Sequence, residues 1–80
     1  MNGSRLSDDA AFAEGSRMLR SVLSGAGDDD TAERALRMIG MRYPEEADSL
    51  RALLAAQSRE QCVVSLAAVE ERHREEESEA

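Results

Sequence analysis

The sequence predicts an all-α protein: a small antiparallel helical bundle of three helices, or four if the last breaks near Ser58. Three observations carry this. Apolar residues recur at helical spacing in three successive segments. Gly25-Ala26-Gly27 and Pro44 separate those segments. Neither Gly nor Pro occurs from residue 45 to 80. Eighty residues allow one domain, expected over 7–74 between a disordered N-terminus, 1–6, and an acidic disordered tail, 75–80. Short loops make sequential helices pack antiparallel.

Helix 1 is expected over about 8–24. Ser7 is its N-cap, and Asp8 and Asp9 sit at its positive end. Ala11, Phe12, Met18, Leu19, Val22 and Leu23 share one face with Gly15. A glycine in a helix interior costs about 1 kcal/mol relative to alanine, so Gly15 suggests close approach of another helix. Gly25 suits the position just past the helix end.

Helix 2 is expected from Asp30, which with Glu33 matches a reciprocal capping pattern. Ala32, Ala35, Leu36, Ile39 and Tyr43 form its stripe, widened by Met38 and Met41. Glu33 and Arg37 have the favourable i,i+4 orientation. Pro44 ends this helix and opens the next, followed by Glu45 and Glu46. Leu50, Leu53 and Leu54 then form one stripe, and Cys62, Leu66 and Val69 another, rotated by roughly 120°. Ser58 and Gln61 fit a capping box between them. With neither Gly nor Pro present, one continuous or kinked helix is the favoured reading.

The formal net charge is −7, and all ten basic residues are arginine. From Glu70 to Glu79, six glutamates face Arg72 and Arg74. This field repels phosphate backbones and anionic membranes and favours basic protein partners, so neither nucleic acid nor membrane is an expected partner. A helix-turn-helix reading also lacks a basic recognition helix, since helix 2 carries only Arg34, Arg37 and Arg42. No stretch approaches the roughly 18 apolar residues of a membrane span, and no signal-peptide core is visible. Cys62, the single cysteine, has no intramolecular disulfide partner, and a cytoplasmic location is expected.

The candidate sites for chemistry are weak. Asp28-Asp29-Asp30 lacks the alternating ligands, central glycine and distal glutamate of a calcium loop, and reads as a solvated loop ending in a cap. His73 and Cys62 lie about 16 Å apart along a helix and cannot share an ion there. His73 reads as a surface residue, and Cys62 as a buried small hydrophobe. No metal, cofactor or catalytic residue is expected, and the chain is not read as an enzyme.

Leu, Ile, Val and Phe number 14 of 80 residues, few for so charged a chain. The strong patterning argues for folding, and another protein or a homodimer is expected to complete the burial. The function expected is therefore a non-catalytic protein–protein interaction module: an adaptor, chaperone-like or assembly subunit. Its apolar surface is expected at Leu36, Met38, Ile39, Met41, Tyr43, Val63 and Leu66. The alternative is an acidic, antitoxin-like inhibitor that covers a basic site on its target.

Overall fold

The computed structural model describes residues 7–79 and contains α1 (Asp8–Leu23), α2 (Asp29–Gly40), α3 (Pro44–Ala55) and α4 (Arg59–Glu79). There is no strand among the described residues. The expected disordered N-terminus, 1–6, lies outside them.

The caps explain the boundaries. Ser7 Oγ accepts from the Ala10 N–H at 3.1 Å, with Asp8 and Asp9 in the first turn. At the other end of α1, Gly25 takes φ 95°. Its N–H donates to Val22 O at 2.9 Å and that of Ala26 to Ser21 O at 2.8 Å, which satisfies carbonyls left free by the helix.

Helix α2 begins earlier than the Asp30 cap implied. Asp28 is extended (φ −116°, ψ −177°), and its Oδ1 accepts from the Thr31 N–H at 2.9 Å and the Thr31 hydroxyl at 2.8 Å. A cap bond to the third helical residue requires this spacing, and Thr31 completes it. Glu33, freed from capping, reaches Arg51 of α3 at 2.8 Å.

The last segment divides. Gln57 adopts φ 60°; its N–H donates to Leu54 O at 3.0 Å and that of Ser58 to Leu53 O at 2.9 Å. This is the terminus made by Gly25, built on a side chain that does not favour it. The expectation of a continuous helix is corrected here, and the energetics give the reason. A left-handed non-glycine residue costs roughly 1–2 kcal/mol. Burying Leu66 and Val69 contributes roughly 1.5–3 kcal/mol each, and only the break lets both offset stripes face one core. Helix α4 then runs to Glu79, so residues 75–79, expected as a disordered tail, continue the helix. Glu76 anchors that end through Tyr43 and Arg42.

Each helix packs against its neighbour in sequence, and α4 returns to α1. Leu19, Ile39, Leu50, Cys62 and Leu66 are fully buried at the centre. The α1–α2 crossing is close because of Gly15, where a Cβ would lie 2.7 Å from Ala35 O and 3.0 Å from Met38 Cβ. Among the described residues no helix is long and apolar enough to cross a membrane.

Candidate functional site

The seven residues expected to face a partner do not form one surface. Leu36, Ile39, Tyr43 and Leu66 are in the core. Met38 is half-buried beside Gly15. Only Met41 (48% exposed) and Val63 (38%) are open to solvent, on different helices' ends. The apolar excess of α2 is consumed internally, because the missing side chain at Gly15 lets α1 settle onto it.

Among the described residues, the large apolar side chain most exposed is one the stripes left out, Val64 (68%). It lies one turn before Ala68, on the outer flank of α4. Between that flank and α3 runs an open groove. Ser49, Ser65 and Ala68 form its walls, Leu50 and Val69 its apolar floor, and the Glu46–Arg72 ion pair closes one end. Small side chains at these positions leave space for another backbone to approach. The 3.6-residue period placed Ser65 and Ala68 together, but only the Gln57 break sets them opposite Ser49.

A charged aromatic cluster occupies the end of the bundle where α1 starts and α4 finishes. His73, expected at the surface, has a side chain only 12% exposed. Its ring lies 4.7 Å from that of Phe12 and 6.1 Å from that of Tyr43, centroid to centroid. Phe12 and Tyr43 themselves meet edge to face at 5.1 Å, a favoured aromatic geometry. The Arg42 and Arg72 guanidinium carbons lie 4.6 and 5.2 Å from the Tyr43 ring centroid. His73 was misplaced because its aromatic neighbours lie 61 and 30 positions away in sequence.

Carboxylates surround this aromatic floor. Tyr43 Oη donates to Glu76 Oε1 at 2.7 Å, and Arg42 Nη2 donates to the same oxygen at 2.6 Å. Burial, then the Glu76 hydrogen bond, pushes the Tyr43 phenol up to about 12. That bond, with the arginines, holds the Glu76 carboxyl below its ordinary range. Asp9 Oδ1 lies 3.0 Å from His73 Nε2 and 3.2 Å from Arg42 Nε. The His73 contact, followed by Arg42, depresses the Asp9 carboxyl.

One turn back on α4, Glu70 binds Arg20 of α1 and accepts from the Ser16 hydroxyl. The Arg20 hydrogen bond lowers the Glu70 carboxyl. The Ser16 hydroxyl is thus committed to a carboxylate. Cys62 is fully buried, and burial raises its thiol, which disfavours the reactive thiolate.

The all-α architecture is therefore secure from the helices themselves, while relatives add nothing: the chain matches no protein family, no curated protein and no solved structure.

Proposed function

We propose that this chain is a non-catalytic protein-interaction module whose α3–α4 groove receives a helix of another protein. The observation that carries the reading is the groove itself: small walls at Ser49, Ser65 and Ala68 above the apolar floor of Leu50 and Val69. Recognition of a helix in a groove needs an apolar trough that a ridge of side chains can enter. Val64, exposed one helical turn before Ala68, adds apolar area beside the groove. A complementary partner presents an amphipathic helix with apolar residues about one turn apart. Self-association through the same groove is the homodimer form of the reading.

The inhibitor reading has less support. Glu70, Glu71 and Glu76 are engaged by Arg20, Arg74, Arg42 and Arg72 of the same chain, which reduces the free negative charge available to a basic target.

The test uses Ala68→Arg and Val64→Glu, both at exposed positions, with Met41→Glu as a comparison away from the groove. Proteins captured by the wild-type chain, or a dimer seen by light scattering, should be lost with the first two and retained with the third. Retention with Ala68→Arg overturns the groove as the binding surface.

A further inference from the structure

The start of α1 and the last turns of α4 bring three electron-pair donors together. His73 Nε2 lies 3.0 Å from Asp9 Oδ1 and 3.8 Å from Glu77 Oε2, and one ligand atom from each of the three residues lies within 4.8 Å of the other two. We propose that Asp9, His73 and Glu77 bind a divalent transition-metal ion, with zinc the best fit, through Nε2 and one oxygen of each carboxylate. Water completes the coordination shell.

The donor set selects the class of ion. One imidazole with two carboxylates suits zinc and its first-row neighbours. Calcium and magnesium prefer oxygen alone. Ligand atoms held at about 2.0–2.2 Å around one tetrahedral zinc lie roughly 3.4 Å apart. The two distances from Nε2, 3.0 and 3.8 Å, bracket that value. Asp9 and Glu77 are 53% and 57% exposed, so side-chain rotation adjusts the carboxylate oxygens toward that spacing. The same exposure gives the ion an entry path from solvent.

The imidazole needs no such adjustment. Phe12 and Tyr43 hold its ring from two sides, so Nε2 is aimed at the carboxylates before any ion arrives. Preorganised donors of this kind favour binding. His73 and Glu77 are one helical turn apart on α4, and Asp9 comes from α1, so the complete site exists only in the folded chain.

Two competitors are present. Arg42 Nε sits 3.2 Å from Asp9 Oδ1, yet Arg42 Nη2 keeps Glu76 at 2.6 Å and is not orphaned when Asp9 turns to the ion. Protons compete with a metal ion for any donor set of this kind, so affinity falls as pH drops.

The probe is cobalt(II) titrated into the full, tag-free chain, read by its visible ligand-field absorption, with zinc as competitor and thermal unfolding in parallel. One ion per chain is expected, together with a higher unfolding temperature in zinc. Asp9→Asn and Glu77→Gln should each weaken binding by at least about tenfold, while Glu75→Gln leaves it unchanged. His73→Gln also removes a ring packed on Phe12 and Tyr43, so the exposed Glu77→Gln carries the test. Absent cobalt bands and an unmoved melting curve overturn the proposal. So does binding that survives both Asp9→Asn and Glu77→Gln.

Discussion

The Tyr43 hydroxyl donates to Glu76 across 2.7 Å and so joins the α2–α3 corner to the last turns of α4. Tyr43 is the only tyrosine of a chain that lacks tryptophan, which makes this contact directly observable. In the folded chain, tyrosinate absorbance should titrate with a midpoint near about 12. In urea it should return to the ordinary phenol value of 10.0. The folded value is the raised one, so the stabilisation is complete below pH 10 and is lost as pH rises through about 12. A folded-state midpoint equal to that in urea would contradict the geometry.

Glu70 gives the acid counterpart. Its carboxyl is lowered from 4.5 chiefly by the Arg20 hydrogen bond. A depressed folded value means that the contribution is present above pH 4.5 and lost as pH falls through the lower folded value. Glu70→Gln should flatten this acid-side decline in urea-unfolding curves recorded across pH. An undiminished decline in the variant would assign it to other carboxylates.

Gly15→Ala sets helix propensity against packing. Alanine gains about 1 kcal/mol of propensity in a helix interior. Its methyl group would lie 2.7 Å from Ala35 O, a backbone atom that moves only with α2. Overpacking of this kind costs typically about 1–3 kcal/mol. The net expectation is a lower midpoint in chemical denaturation, and a higher one would mean that the crossing is looser than it stands.

Gln57→Gly should act in the opposite direction. The left-handed backbone at Gln57, φ 60°, disfavours any side chain, and glycine is the usual solution at this position of a helix terminus. A gain of about 0.5–1 kcal/mol is expected from denaturant unfolding. A loss would show that the Gln57 side chain makes contacts worth more than the relieved backbone.

Much of the fold was legible because its signals are local. Ser7 caps a residue three positions on, and Gly25 relieves a terminus made by the turn before it. Pro44 opens α3, and the Phe12, Leu19, Ile39 and Leu66 stripes lie on the faces their periodicity assigned. The candidate sites were far less legible. Ala68 and Ser49 are unremarkable in sequence until a break at Gln57 folds one helix back beside the other. Asp9 reads as an N-terminal dipole charge, and nothing near it announces His73.

The sequence alone determined the all-α class and the starts and stops of most helices, since capping and helical periodicity act within one or two turns of the chain. Tertiary structure decided the rest: that α4 breaks from α3, that α2's apolar stripe is covered by α1, and that Asp9, His73 and Glu77 meet. The physical reason is that these outcomes depend on which surfaces can be buried together. A left-handed Gln57 is unfavourable locally and is sustained only by the core it allows Leu66 and Val69 to join.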